Sequence, residues 1–383
     1  MRIAHLADLH LGYRAYHRIT PQGQNQREED VAFAFQEVIA QLIELQPDLV
    51  LVAGDFFHTP RPTNAAIKLA LRGLGAFRAE CGAPWHIISG NHDLPRSEGS
   101  TCILRVLTEV SDVHVIERKM QSVLHGNVEI VCVPEWALSQ KDRPSPAALG
   151  PADLHVLLLH GAVFGGSDRK LNSLAALDRS AIGLHELDPA AWTYLALGHY
   201  HKAGPICHNA YYTGGIERTT TDIWSETDQK GFITFDTDTF EADQPMPPSF
   251  HATRPRPVID LPTIDARGWG AGTLFQQIGF NLNGKSIEGA IVRQVVGNVT
   301  REVARELPWK EFNEWRACAL HFQLDLWPPT SRGSIIEPHD VPSLTLEAET
   351  EHFIRDVYVP KLPDIDREQL AGLALGYLPE EGE

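Results

Sequence analysis

Five apolar runs that each end in a short polar motif constrain the fold of this chain more than any other feature. Each run has the length and the apolar character of a buried strand. The pairs are Arg2 to Ala7 with Asp8-Leu9-His10, Leu49 to Ala53 with Gly54-Asp55, Trp85 to Ser89 with Gly90-Asn91-His92-Asp93, Val156 to Leu159 with His160-Gly161, and Tyr194 to Leu197 with Gly198-His199-Tyr200-His201. Because side chains beyond the carboxyl ends of parallel strands meet in one crevice, the five motifs are predicted to form a single site.

Helical patterns separate the first three runs. Apolar residues recur at helical spacing from Val31 to Leu45, and a second helix is expected from Thr63 or Asn64, either of which can cap it, to about Arg78. This β-α-β-α-β alternation predicts an α/β fold with a parallel sheet and helices on its faces. Further elements are expected as a helix at 101–107, strands at 113–116 and 128–133, and antiparallel additions at 211–217 and 231–235.

The length of the chain and the placement of its prolines predict several domains. A chain of 383 residues is longer than a single hydrophobic core of ordinary size can serve. The six prolines from Pro245 to Pro262 are typical of a semi-rigid linker. The predicted organisation is an α/β domain at 1–244, a linker at 245–262, a small α/β domain at 263–335 and a helical region at 336–383. The apolar stripe of Leu370, Leu373 and Tyr377 either packs on its own protein or docks on a partner helix.

Charge and cysteine usage limit the classes of partner. The formal charge of −17 argues against bulk electrostatic binding of nucleic acid. The five cysteines are scattered and include no CxxC pair, which is typical of a reducing compartment. No apolar window approaches the length of a membrane span. These features predict a cytoplasmic protein without a membrane partner. The polar loop from Tyr13 to Gln26 is either substrate-facing or a plain surface connection.

The polar motifs supply enough ligands for two metal ions. Seven side chains are too many for one ion, and a carboxylate such as Asp55 can bridge two. Four imidazoles in the set favour manganese, iron or zinc over magnesium or calcium. The predicted ligands are Asp8, His10, Asp55, Asn91, His160, His199 and His201.

The charge of such a centre indicates its substrate. Two divalent ions outweigh two carboxylates, so the centre attracts an anion that gains negative charge during reaction, as a phosphate ester does. The leaving oxygen still needs a proton. His92, next to the ligand Asn91, is the predicted general acid, with Asp93 expected to hold its ring. His58, three residues past Asp55, is predicted to contact the metal ligands without being a ligand.

The motifs resemble those of the calcineurin-like metallophosphoesterase superfamily and, within it, the SbcD-type nuclease subunits of double-strand-break repair complexes. The closer resemblance is carried by Asp8-Leu9-His10-Leu11-Gly12-Tyr13, Arg27-Glu28-Glu29-Asp30, and Gly54-Asp55-Phe56-Phe57-His58 with Pro60-Arg61-Pro62. It covers about 1–235 and implies a metallophosphoesterase sandwich of mixed sheets flanked by helices, followed by a small α/β capping domain and C-terminal helices.

The resemblance also implies roles for individual residues and for partners. One manganese would be held by Asp8, His10, Asp55 and His201, and the other by Asp55, Asn91, His160 and His199. His92 would act on the leaving group and His58 would lie near the DNA. The family implies exonuclease and endonuclease action at DNA ends near the nucleoid, a homodimer, and a coiled-coil ATPase of the SbcC type that grips the C-terminal region.

Two alternatives to a DNA nuclease remain from the sequence. The same metal chemistry would serve a phosphodiesterase acting on a nucleotide or another small phosphodiester. A scaffold that keeps the fold, but only binds DNA ends or an ATPase, is the third hypothesis. None of the proposed metal ligands is missing, which argues against an inactive site.

Overall fold

Two mixed six-stranded sheets lie face to face and carry all five polar motifs at one end. The computed structural model describes residues 1–95, 101–148, 150–166, 178–239 and 248–329, together with the isolated positions 354 and 370. Within these ranges, no helix is both long enough and apolar enough to cross a bilayer.

The elements are numbered in chain order. The strands are β1 (Arg2–Leu6), β2 (Leu49–Ala53), β3 (Trp85–Ile88), β4 (Val113–Ile116), β5 (Gln121–His125), β6 (Val128–Val133), β7 (Leu154–His160), β8 (Val163–Phe164), β9 (Ile182–Gly183), β10 (Tyr194–Gly198), β11 (Gly204–Cys207), β12 (Ala210–Tyr212), β13 (Gly231–Asp236), β14 (Ser249–Ala252), β15 (Val258–Asp260), β16 (Ile264–Asp265), β17 (Ile291–Gly297) and β18 (His321–Leu326). The helices are α1 (Gln26–Leu45), α2 (Asn64–Glu80), α3 (Glu135–Leu138), α4 (Leu184–Leu187), α5 (Ala271–Leu282), α6 (Arg301–Glu306) and α7 (Trp309–Cys318).

Both large sheets have parallel centres; the second is antiparallel at both edges, and the first only at the edge formed by β13 and β14. The first has the order β14-β13-β1-β2-β3-β4 and the second β11-β12-β10-β7-β6-β5. Strand β2 is buried along its whole length, which explains its uninterrupted apolar sequence. One apolar core fills the space between the sheets, and another joins the outer face of the first sheet to α1 and α2. The mixed α/β sandwich expected from the sequence is thereby confirmed.

Local sequence explains where the two long helices begin. The Asn25 side chain accepts hydrogen bonds from the backbone N–H groups of Arg27 and Glu28, so it caps α1. Thr63 accepts from the N–H of Ala66 and caps α2, as one of the two predicted caps does. These caps fix α1 and α2 over the outer face of the first sheet.

A third sheet belongs to the C-terminal part of the described chain. Strands β15, β16 and β18 all pair with β17 in parallel. With α5, α6 and α7 they enclose a separate apolar core that includes Leu274, Ile278 and Phe312. This α/β unit is called the small domain below. The predicted domain limits stay predictions, and the predicted helices of 336–383 lie outside the described residues apart from positions 354 and 370.

Three local predictions differ from the structure. The element expected at 101–107 is a 3-10 helix, Ile103–Glu109, whose three-residue turn buries both Leu104 and Leu107. The strand expected at 211–217 ends at Tyr212, before Gly214 with φ +71°, and it pairs with β10 in parallel. The predicted linker carries two strands, β14 and β15, at sheet edges, where prolines are tolerated.

Candidate metal centre

The carboxyl ends of five parallel strands meet at one end of the sandwich. The loops after β1 and β2 continue side by side, because the N–H of Asp8 donates to the carbonyl of Gly54 (3.1 Å) and the N–H of His10 to that of Asp55 (2.9 Å). The second sheet joins them where Nδ1 of His160 donates to the carbonyl of Ala53 (2.7 Å). The predicted convergence of the five motifs is therefore what the fold produces.

Backbone conformations at this point are unusual for residues other than glycine. Asp8, His10 and Asp55 lie in the left-handed region, with φ of 51°, 48° and 51°, and His199 has a φ of 111°. Such conformations are costly and cluster where function requires a particular side-chain direction. Gly90 is tightly enclosed, since an added Cβ would lie 2.1 Å from Oδ1 of Asp55. The turns thus aim their side chains into one small volume.

Three groups of side chains among the described residues could each hold a metal ion: one consists of His10, His58 and His92, and the other two share Asp8. The ligand atoms of Asp8, His10 and His201 lie within 4.8 Å of one another, as do those of Asp8, Asp55 and His160. Nε2 of His10 is 3.0 Å from Nε2 of His201. Oδ2 of Asp55 lies 3.8 Å from Nε2 of His10 and 3.6 Å from Nε2 of His160. Asp55 therefore stands between the two groups that share Asp8, as a bridging carboxylate would.

The buried carboxylates give the site a negative charge that favours the binding of cations. Asp8 and Asp55 are 0% and 2% exposed, and neither forms an ion pair with a lysine or arginine among the described residues. Burial raises the pKa of Asp8 above its usual value, although the charges of His201 and His160 oppose the rise. Because buried carboxylates without a paired cation are costly, two divalent ions would supply the missing charge.

The remaining predicted ligands complete the cluster. Oδ1 of Asn91 lies 3.1 Å from Nε2 of His160. The His199 ring lies 5.3 Å from the His160 ring, and the N–H of His199 donates to the Asp8 carboxylate (3.1 Å). The structure thus brings all seven predicted side chains together, and their role as ligands stays a prediction.

Partners that the sequence did not indicate orient three of the imidazoles. The hydrogen bond from His160 to the carbonyl of Ala53 fixes the ring proton on Nδ1, so Nε2 carries no proton and has a lone pair for a metal ion. Nε2 of His199 lies 2.7 Å from Oδ2 of Asp178, and this hydrogen bond holds the pKa of Asp178 well below its usual value. Nδ1 of His201 lies 3.4 Å from Oε1 of Glu226. Asp178 and Glu226 follow no strand and belong to no motif, so no sequence signal distinguished them.

His92 and His58 form a pair beside the cluster. Their rings stack with centroids 5.1 Å apart, and Nδ1 of His58 lies 3.3 Å from Nδ1 of His10. Nδ1 of His92 donates to the backbone carbonyl of His58 (2.7 Å). Burial, followed by the charge of His92, lowers the pKa of His58 to about 4, so its ring is neutral at neutral pH.

The predicted role of Asp93 as the partner of the His92 ring is wrong. The Asp93 carboxylate accepts hydrogen bonds from the backbone N–H groups of Phe57 (2.9 Å), Gly90 (3.0 Å) and Phe56 (3.3 Å). Its oxygens are therefore occupied in joining the loops after β2 and β3. Asp93 positions the loop that carries Asn91 and His92 and does not hold the imidazole itself.

Comparison with known proteins identifies a family and several relatives. Residues 1–203 match the calcineurin-like phosphoesterase family. The DNA double-strand break repair protein Mre11 of Methanococcus maripaludis is 41% identical over 98 residues, which cover 26% of this chain and 24% of that protein. The protein of the same name from Archaeoglobus fulgidus is 31% identical over 237 residues, or 57% of this chain and 50% of that protein. The chain thus spans half or less of the length of these two relatives.

A solved structure gives a more distant match. A dimetal phosphatase from Danio rerio aligns with 61% of this chain and 91% of its own chain, at 13% identity and a TM-score of 0.33.

Proposed function

The chain belongs to the calcineurin-like phosphoesterase family, and from that premise we propose that it is a two-metal nuclease that hydrolyses phosphodiester bonds at DNA ends. The observation that carries the proposal is the position of the Asp55 carboxylate, 3.8 Å and 3.6 Å from imidazole nitrogens of the two side-chain groups. The names of the relatives, which are DNA double-strand break repair proteins, support DNA as the substrate.

The proposed ligands form two positions that share one carboxylate. The first metal position consists of Asp8, His10, Asp55 and His201. The second consists of Asp55, Asn91, His160 and His199. When bound, two divalent ions would lower the pKa of an attacking water and stabilise charge on the phosphoryl oxygens. We propose manganese as the native ion, since mixed carboxylate and imidazole ligands suit it.

His92 is the proposed general acid. A carbonyl oxygen can only accept, so the contact with His58 requires a proton on Nδ1 of His92. To act as the acid the ring must be the imidazolium, whose Nε2 gives its proton to the leaving oxygen and leaves the neutral ring with its proton on Nδ1. If Nε2 of His10 binds a cation, its Nδ1 carries a proton and donates to Nδ1 of His58. His58 then presents an N–H from Nε2, which suits a contact with a phosphate oxygen.

The proposed partners follow the sequence resemblance. We propose that the protein acts as a homodimer and that a coiled-coil ATPase binds its C-terminal region, whose residues 336–383 lie outside the described structure apart from two positions. A local DNA contact at the metal centre is compatible with the formal charge of −17.

The test is digestion of end-labelled linear duplex DNA by metal-free protein with and without added manganese. Manganese-dependent shortening that disappears in Asp55→Asn supports the proposal, because the bridging ligand is then altered. Intact DNA together with hydrolysis of bis-p-nitrophenyl phosphate would favour the small phosphodiester as substrate. No hydrolysis of either compound would contradict an enzymatic function and favour the scaffold.

A further inference from the structure

One segment of the chain contacts both the metal centre and the small domain. This segment, residues 217–228, is called the bridge segment. Toward the metal centre, Oγ1 of Thr219 and Oε1 of Glu226 lie 3.2 Å and 3.4 Å from Nδ1 of His201. Toward the small domain, Ile223 forms an apolar cluster with Ile291 and Leu320. The two contacts are only a few residues apart along the chain.

A buried lysine fixes Glu226 against His201. The Lys230 side chain is 0% exposed, and its Nζ lies 3.3 Å from Oε2 of Glu226 and 3.2 Å from Oδ2 of Asp228. The same Nζ donates to the backbone carbonyl of His201 (2.7 Å). The Glu226 carboxylate therefore lies between the ring of His201 and the ammonium group of Lys230, and Lys230 is also bonded to the backbone of His201.

The position of Glu226 depends in turn on the small domain. Its N–H donates to the carbonyl of Ile223 (3.3 Å) at the end of the 3-10 helix Ile223–Ser225. Ile223 is 2% exposed, so the apolar cluster with the small domain fixes this turn. The Arg293 guanidinium of β17 lies 4.6 Å from the centre of the Trp224 ring and is paired with Asp260 (2.7 Å).

A second set of contacts connects the bridge segment to the residues that lead into the small domain. Arg218 donates to the carbonyl of Glu226 (2.8 Å) and to that of Arg256 (3.1 Å). Arg256 also contacts the carbonyl of Gly289 (3.4 Å). A shift of the small domain would therefore displace the backbone of Glu226.

We propose that Glu226 is a positioning residue for His201, and that the bridge segment makes cation affinity at the first metal position depend on contact with the small domain. The inference rests on the proposed function in taking His201 as a ligand of a divalent ion. Carboxylates that orient a ligating imidazole change metal affinity by about 10- to 100-fold when they are lost. The small domain would then act on the metal centre without touching it.

The experiment is a calorimetric titration of the metal-free, full-length protein with manganese chloride, with the two binding steps fitted separately. We expect Glu226→Ala to weaken one step by about 10- to 100-fold and to leave the other unchanged. Glu226→Gln should weaken the same step less, because the amide keeps the size of the side chain and an oxygen near Nδ1 of His201 and loses only the negative charge. Trp224→Ala, which removes a contact with the small domain, should also weaken that step.

A matched control and a folding check make the result decisive. Phe280→Ala alters an exposed aromatic of the small domain, 71% accessible and away from the bridge segment, and should bind manganese like the wild type. Thermal melts identify any variant that fails to fold. If Glu226→Ala does, then Glu226→Gln and Trp224→Ala carry the test, and unchanged binding in both would overturn the inference.

The inference and the proposed function fail in different ways. Wild-type protein that binds two manganese ions but leaves DNA intact would contradict the nuclease, while weakened binding in Glu226→Ala would still support the positioning role. Manganese-dependent cutting by the wild type, with both binding steps unchanged in a folded Glu226→Ala variant, would overturn the positioning role alone.

Discussion

At the scale of single residues, His92 is distinguished by being held through the protein backbone. Its Nδ1 donates to the carbonyl of His58, and its N–H donates to Oδ1 of Asp55 (2.8 Å). The ring is thus fixed relative to the proposed bridging ligand, and His92 is not among the proposed ligands. A residue of this kind can transfer a proton during the reaction while the metal positions stay intact.

The first prediction concerns His92→Gln. This substitution should lower the rate of DNA hydrolysis by roughly 100- to 10,000-fold, the usual contribution of a general acid. Manganese binding measured by calorimetry should not change, because no proposed ligand is altered. His208→Gln, an exposed histidine away from the site, serves as the control. Full activity in His92→Gln would show that the proton comes from elsewhere.

The second prediction concerns the glycine under Asp55. In Gly90→Ala the new Cβ would start 2.1 Å from Oδ1 and 2.6 Å from the backbone nitrogen of Asp55, so the bridging carboxylate must move. A displacement near 1 Å typically costs roughly 100-fold in rate. We expect a loss of that order in hydrolysis, together with weaker manganese binding.

Gly75→Ala provides the matched control for Gly90→Ala. Gly75 lies in α2 with open space around the position of an added Cβ. Replacing a glycine inside a helix by alanine gains roughly 0.5–1 kcal/mol of stability. Equal activity losses in the two alanine variants would show that the crowding at Gly90 is not the cause.

At the scale of elements, the strand ends were predictable because their signal is local. Each apolar run and its polar motif are contiguous in sequence, and parallel pairing brings the motifs to one edge. The orienting partners Asp178 and Glu226 were not predictable. Each is separated along the chain by more than twenty residues from the histidine that it contacts. The backbone carbonyls of Ala53 and His58 carry no side-chain signal at all.

The sequence also did not predict the geometry of two short elements. The spacing at 101–107 fits either an α-helix or a 3-10 helix, and the choice depends on burying Leu104 and Leu107 together. The direction in which β12 pairs depends on the path of the chain after β10, which includes the short strand β11. Both outcomes are decided by tertiary packing and not by the pattern of residues.

A pair of stacked histidines on β3 and β4 should make the sandwich sensitive to acid. His86 is 3% exposed, and its ring lies 5.0 Å from that of His114 on the neighbouring strand. Burial, followed by the charges of His114 and His125, lowers the pKa of His86 from 6.5 to about 4. Between these values the unfolded chain binds a proton that the folded protein excludes, so stability falls as the pH falls.

The third prediction is a smaller loss of stability at low pH in His86→Gln. The free energy of unfolding of metal-free wild type should drop by about 3 kcal/mol from this residue alone between pH 6.5 and pH 4, at 1.36 kcal/mol for each unit of pKa shift. Urea unfolding of the wild type, His86→Gln and the control His208→Gln at several pH values measures it. Parallel curves for His86→Gln and the wild type would contradict the assignment.

At the scale of the whole molecule, buried ion pairs join α1, the bridge segment and the start of the small domain. Arg27 of α1 has a fully buried side chain and contacts Asp30 (2.6 Å) and Glu217 (3.2 Å). Glu217 accepts from the N–H of Arg256 (2.7 Å), and the Arg256 guanidinium is paired with Asp30. Because these groups are shielded from water, losing one partner leaves an uncompensated charge in the interior.

The last prediction compares a buried arginine with an exposed one. Arg27→Met should lower the free energy of unfolding by about 3–5 kcal/mol, because Asp30 and Glu217 lose their central cation. Arg254→Met removes an arginine whose side chain is 74% exposed and which pairs with Glu37, so it should cost at most about 1 kcal/mol. Urea denaturation of both metal-free variants measures the two costs. Equal costs would contradict a special contribution of the ion pairs around Arg27, whereas a large difference would show that these buried pairs stabilise the fold far more than the exposed pair of Arg254 does.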